Sequence, residues 1–256
     1  MKKQTIAQLK QLYAKGKFND QLVEQLKLDE RKGVQALVKR YATERQKRQE
    51  MEAAFLQMCT YENKLYEHGY HWIAGVDEAG RGPLAGPVVA AAVILPSDFK
   101  LLGLNDSKKL SDATRKRYFS MIKERAISYS VAVIHNDEID RINIFEATKK
   151  AMSKALDQLE RVPDYALIDA VELKGLPFRS KSLVKGDEKS ISIAASSIIA
   201  KVTRDEMMKA IHHKYPVYDF KTNMGYGTKQ HVDKLARYGP SPFHRHSFGP
   251  VKRAID

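Results

Sequence analysis

From His71 onward the chain alternates short runs of strand length with longer segments of helical periodicity. Strands are predicted at 72–77, 87–95, 127–135, 165–169 and 179–184, and helices at 111–126, 143–160, 190–214 and 228–238. Ser111 is suited to cap the first of these helices. Pro83, Gly86 and Pro87 punctuate the link between the first two strands, whereas later strands are separated by helices. A hairpin-type link followed by helical crossovers predicts an α/β fold with a mixed central sheet flanked by helices.

Residues 1–70 are different in kind. They are rich in Lys, Gln, Glu and Leu and contain no proline. Ile6, Leu9, Leu12 and Tyr13 recur at helical spacing, as do Val34, Leu37, Val38 and Tyr41. Two or three helices are predicted, with the charged run Arg40–Glu52 as a solvated helix or linker. The expected organisation is a small helical N-terminal extension over 1–70 and a main domain over 71–256, a division that 256 residues accommodate.

The formal net charge of +13 suits a polyanionic partner, nucleic acid above all. Cys59 is the only cysteine, which excludes an intrachain disulfide and a cysteine-built zinc site. The pairs His212/His213 and His244/His246 lack such cysteine partners, and neither HExxH nor a Walker A pattern is present. The start of the chain does not read as a signal peptide, and the apolar stretch Pro87–Pro96 is too short to span a bilayer. A cytoplasmic protein is expected.

The chemistry concentrates in Asp77-Glu78-Ala79-Gly80-Arg81-Gly82, directly after the apolar run Trp72–Val76. Adjacent carboxylates at the end of a core strand are costly unless something binds them. The glycine-flanked arginine allows close backbone approach and adds a phosphate-seeking charge. Asp77 and Glu78 point to opposite faces if the strand continues through them, and a bend at Gly80 would bring both to one site. Asp169 ends the apolar run Tyr165–Ile168, and Asp187 lies just before the long helix, where it suits the helix dipole as well as a ligand. Hard carboxylate oxygens converging at strand ends suit magnesium or manganese and two-metal phosphate chemistry.

Six segments in this order resemble bacterial ribonuclease HII, the type 2 ribonuclease H. They are Gly75–Val88, Asp106-Ser107-Lys108-Lys109-Leu110, Leu167–Ala170, Lys185-Gly186-Asp187, Ile193–Asp205 and Gly225-Tyr226-Gly227-Thr228. The resemblance covers about residues 71 to 250. It implies a ribonuclease H-like fold and metal-dependent endonucleolytic cleavage of RNA paired with DNA. It also implies cleavage 5′ of single ribonucleotides in duplex DNA, the chemistry of ribonucleotide excision repair, leaving 3′-hydroxyl and 5′-phosphate ends. The family's four acidic positions fall on Asp77, Glu78, Asp169 and Asp187, the implied catalytic and metal-binding residues, with Mn2+ or Mg2+ as cofactor. A monomer acting on RNA–DNA hybrid or ribonucleotide-containing duplex, and on no membrane, is expected.

The same resemblance assigns Gly80, Arg81 and Gly82 to the 2′-hydroxyl, which a nuclease specific for RNA must detect. It assigns Tyr226 to the junction where RNA gives way to DNA; flanked by Gly225 and Gly227, this ring is displayed for stacking. Lys108 and Lys109 precede a helix start, where a bound phosphate explains cations better than the helix dipole does. Ser197, Lys201 and Arg204 share one face of the long helix and are expected to line the substrate groove, opposite a core face of Ile191, Ala195, Ile198 and Val202. The sister type, ribonuclease HIII, shares this chemistry but carries a sheet-rich N-terminal domain, whereas 1–70 reads as helical. A non-catalytic hybrid-binding protein on the same fold is the reading from another class, and the presence of all four acids weighs against it.

Overall fold

The structure, a computed structural model, describes residues 4–105 and 107–255, with the side chain of Lys108 outside the description. The chain divides into two compact units, Met1–Ala54 and Phe55–Asp256.

The first unit holds α1 (Ile6–Ala14), α2 (Asp20–Leu26) and most of α3 (Lys32–Met58). Thr5 and Gln8 form a reciprocal capping box at the start of α1, and Asn19 caps α2. Leu9, Phe18, Leu26, Val34 and Leu37 form its core, so the apolar periodicity of the sequence reports the packed face. The charged run from Arg40 is continuous helix within α3, and residues 42–51 are exposed there. A fourth helix, α4 (Thr60–Glu67), belongs to the second unit, as does the last turn of α3. Residues up to 70 thus form four helices, one more than the upper expectation.

The second unit is built on a mixed sheet of five strands in the order β3-β2-β1-β4-β5. The strands are β1 (Ile73–Ala79), β2 (Val88–Ile94), β3 (Ser128–Ile134), β4 (Tyr165–Asp169) and β5 (Arg179–Leu183). β1 is central: it pairs antiparallel with β2 and parallel with β4. The connecting helices are α5 (Asp112–Arg125), α6 (Asn136–Ile142), α7 (Ile144–Asp157) and α8 (Ile191–Lys214). The chain ends with α9 (Phe220–Asn223), α10 (Lys229–Tyr238) and α11 (Gly249–Lys252). Among the described residues no helix is long and apolar enough to cross a membrane.

The sheet has a core on each face. Ala74 and Val76 of β1 pack with Ala147, Ala151 and Met152 of α7. The other face carries Ile191, Ala194, Ala195, Ile198 and Ile199 of α8. α8 lies unusually close to β1, because Gly75 leaves it room: a Cβ there would fall 2.0 Å from the Ser192 carbonyl carbon. The Ser196 hydroxyl uses that proximity to donate to the Gly75 carbonyl at 2.7 Å. Every residue of α8 from Ile191 to Ala200 is buried, so its first half has no solvated face.

Candidate active site

β1 and β4 run parallel, and their paired register ends at Val76 and Ile168, one residue before Asp77 and Asp169. The carboxyl ends of parallel strands are where α/β sheets open a crevice. Asp77 faces α8, where its carboxylate accepts a hydrogen bond from the Ser197 hydroxyl. Ser197 Oγ lies 3.0 Å from Ser107 Oγ, and both serines are buried. Glu78 alternates to the other side of the strand. β1 nonetheless continues through both acids to Ala79, and oxygens of Asp77, Glu78 and Asp169 lie within 4.8 Å of one another. No bend at Gly80 is needed: the long Glu78 side chain reaches around the strand end.

This trio is held by backbone. The Glu78 amide donates to Asp77 Oδ1 at 2.6 Å, and the Gly186 amide donates to Asp169 Oδ1 at 2.6 Å. Asp187 follows Gly186 in a short 3-10 turn, Gly186–Glu188, so the fourth acid is anchored beside Asp169 without joining the 4.8 Å group. The backbone is left-handed at Ala170 (φ 49°) and Lys185 (φ 56°), on either side of this junction. Asp77 is 4 % exposed, and burial holds its carboxyl well above the usual range; the charges of Glu78 and Asp169 push the same way. Three clustered carboxylates with hard oxygen donors fit a divalent cation.

Through Glu78 the trio adjoins a cavity of about 460 Å³ lined by Glu78, Gly80, Arg81, Gly82, Ser107, Ser197, Lys201, Arg204 and Tyr226 among others. Tyr226 is 42 % exposed at its edge, as its glycine flanks predict. Arg81 reaches back to Glu78 at 3.5 Å, and Lys201 pairs with Asp205 at 2.6 Å. Lys109 forms an ion pair with Glu188 at 2.7 Å and is not among the residues lining the cavity. The expectation for Lys108 lies outside the described side chains.

Arg204 is among the cavity-lining residues but is not solvated. It is 1 % exposed, and its guanidinium donates to the carbonyls of Pro87 (3.0 Å), Met224 (2.9 Å) and Ala85 (3.1 Å). It ties the loop after β1 to the loop carrying Tyr226. Sequence reasoning assigns no role to Arg245, His231 and His244, all fully buried. His244 Nδ1 accepts from the Ser241 amide at 2.9 Å, which leaves the proton on its Nε2. That proton is donated to His231 Nε2 at 3.0 Å, so His231 Nδ1–H donates to the Tyr226 carbonyl at 2.9 Å. The only signal for these residues in sequence is their nearness to the Gly225–Thr228 segment and the chain end.

The fold agrees with sequence relationships across the chain. The family model described as Ribonuclease HII matches residues 74–251, and that described as Ribonuclease HII N-terminal domain matches 5–66. The chain belongs to the ribonuclease HII family. It is 51 % identical to Ribonuclease HII of Oceanobacillus iheyensis over 253 residues, covering 99 % of this chain and 97 % of that protein. Family membership makes it a ribonuclease H, an endonuclease. The ribonuclease H2 of Pyrococcus horikoshii OT3 superposes with a TM-score of 0.61 at 27 % identity, over 71 % of this chain and 96 % of that one. Bst-RNase HIII, solved in complex with Mn2+, superposes at 0.58 with 22 % identity, over 73 % of this chain and 70 % of that one, a likeness of fold. The expected ribonuclease H-like architecture, with its helical N-terminal region, is therefore present.

Proposed function

We propose that this ribonuclease HII-family chain is a divalent-cation-dependent endonuclease that cuts the RNA strand of RNA–DNA hybrids and cuts 5′ of single ribonucleotides in duplex DNA. The products carry 3′-hydroxyl and 5′-phosphate ends. The observation that carries this reading is the meeting of Asp77 and Asp169 with Glu78, which itself lines the cavity that Gly80, Arg81, Gly82 and Tyr226 share. Asp77, Glu78 and Asp169 would hold the cation, Mn2+ or Mg2+, with Asp187 completing the set from its neighbouring turn. The Mn2+ bound by Bst-RNase HIII is in keeping with such a donor set.

A cation bound there supplies positive charge for the phosphate and lowers the pKa of water. The chain's own residues do the rest. The backbone amides that grip Asp77 and Asp169 fix the carboxylate oxygens before substrate arrives, so little reorganisation is needed at reaction. The Gly80–Gly82 backbone meets the sugar and selects ribose by its 2′-hydroxyl. The Tyr226 ring stacks on the nucleotide beyond the scissile position, and Lys201 and Lys109 offer cations to the phosphate backbone. Ser197 holds Asp77 and thereby links α8 to the acids. The enzyme acts as a monomer, in the cytoplasm, where bacterial DNA lies.

Cleavage mapping on a duplex carrying one ribonucleotide tests the reading. A cut 5′ of that residue, dependent on Mg2+ or Mn2+ and lost in Asp77→Asn while duplex binding persists, is expected. Wild-type-like turnover by Asp77→Asn refutes it.

A further inference from the structure

Arg245 is a buried charge held entirely by main chain. It is 0 % exposed, and no carboxylate among the described residues pairs with it within 4.0 Å. Burial and the nearby Arg204 charge push its pKa down to about 9. A guanidinium buried without a counter-ion is costly unless its donors are satisfied. Here they are satisfied by main chain: Nη2 donates to the Gly80 carbonyl at 2.6 Å, Nη1 to Arg81 at 2.9 Å and Nε to Gly86 at 2.9 Å. The Phe248 ring covers the guanidinium at 5.1 Å, and the Arg245 amide donates to the Leu84 carbonyl at 2.8 Å. The fork therefore closes the loop from Gly80 to Gly86 upon itself.

The consequence follows from peptide geometry. Both peptides are trans, so each carbonyl and the amide of the next residue point in opposite directions. Turning the Gly80 and Arg81 carbonyls onto Arg245 turns the Arg81 and Gly82 amides away from it. Those residues line the cavity beside the acids. Gly80 permits the arrangement through its φ of +100°, where a Cβ would strike Arg204 Nε at 2.1 Å. Two adjacent amides aimed one way form a small cradle for an oxygen acceptor.

We propose that Arg245 is a positioning residue for sugar choice: by holding the Gly80 and Arg81 carbonyls it presents the Arg81 and Gly82 amides to the 2′-hydroxyl, so that preference for ribose depends on it. The inference rests on the reading of Gly80–Gly82 as the sugar-contacting segment. Lysine cannot substitute, because a tetrahedral ammonium does not reproduce a planar fork reaching three carbonyls.

The test uses the full chain, wild type and Arg245→Lys, with two duplexes that differ only in one 2′-hydroxyl. Binding is measured in EDTA, and cleavage with Mn2+. The expected result for Arg245→Lys is a loss in kcat/KM at the ribonucleotide on the order of 100-fold, the scale of an ångström of misplacement. Its affinity for the ribonucleotide duplex falls to that for the all-DNA duplex, while all-DNA affinity and Mn2+ binding measured by calorimetry stay as in wild type. A folded Arg245→Lys that keeps the ribose preference overturns the inference, as does an equal loss of affinity for both duplexes. Should Arg245→Lys fail to fold, hydrogen exchange on the wild type decides. Arg81 and Gly82 amides protected by the ribonucleotide duplex alone support the cradle, and equal protection by both duplexes overturns it. A wild type blind to the ribonucleotide overturns the sugar-contacting assignment as well, which separates that failure from failure of the Arg245 role alone.

Discussion

Asp77→Asn is expected to make the cation-free protein more stable while removing its activity. Asp77 is buried with two other carboxylates whose oxygens lie within 4.8 Å. Two unit charges at that distance repel by about 3.5 kcal/mol at an effective dielectric of about 20. Two such pairs at that spacing amount to about 7 kcal/mol between full charges. The relief is smaller in practice, because the cluster sheds charge by holding a proton: the Asp77 carboxyl sits well above its usual range. Asparagine keeps the acceptor for the Glu78 amide and can still meet Ser197, so little bonding is lost. A gain of about 2–3 kcal/mol at pH 8, or roughly 5–10 °C in Tm, is expected. The sign with pH is fixed. An acid whose folded pKa is raised costs stability as pH rises from its unfolded value through the folded one. The advantage of Asp77→Asn must therefore grow from about pH 4 upward and vanish in acid. Added Mn2+ should stabilise the wild type, by about 2.7 kcal/mol at a hundredfold excess over Kd, and the variant much less. Thermal unfolding in EDTA from about pH 4 to pH 8, with and without Mn2+, measures all of this. An Asp77→Asn protein no more stable than wild type at pH 8, or a gap that persists in acid, refutes the account of the site as a strained acidic cluster.

Other perturbations probe the scaffold. Burial and the neighbouring His231 push the His244 pKa down to about 4 from its usual 6.5. The unfolded chain then binds the extra proton first, so stability is full above pH 6.5 and falls by about 3 kcal/mol as the pH drops to 4. Urea midpoints at pH 7.5 and 4.5 should show this loss in wild type and a shallower slope in His244→Asn; parallel profiles would argue against it. Gly75→Ala places a methyl 2.0 Å from backbone of Ser192, so α8 must move off β1. A loss of about 3 kcal/mol or more in urea unfolding is expected, and an unchanged midpoint would show that the helix can shift freely.

The sheet was legible because its central strands are buried on both faces and read as apolar runs. All five strands fall within two residues of their expected limits. α6 escaped notice because the segment 135–143 is short and polar, and only the left-handed Asn143 (φ 66°) separates it from α7. The acids were legible as charges placed where a buried strand ends. What sequence could not reveal is which arginines are solvated. Arg204 and Arg245 are partnered by backbone carbonyls, which every residue carries, so no complementary acid marks them. The His231–His244 pair is hidden for the same reason: its outer partners are the Tyr226 carbonyl and the Ser241 amide.

α4 carries one more constraint. The Glu62 carboxylate is 2 % exposed and accepts hydrogen bonds from the Ser190 hydroxyl and from the Ser192 amide and hydroxyl, at the first turn of α8. Phe55, Met58 and Cys59 enter the same core as α8. The two family matches, however, meet between residues 66 and 74. The sequence module and the folding unit are therefore out of register: a gene fusion or deletion that joins at the module boundary removes the carboxylate that finishes the enzyme's central helix. Only a junction near residue 54 leaves a whole catalytic body, so α4 must be inherited with the acids.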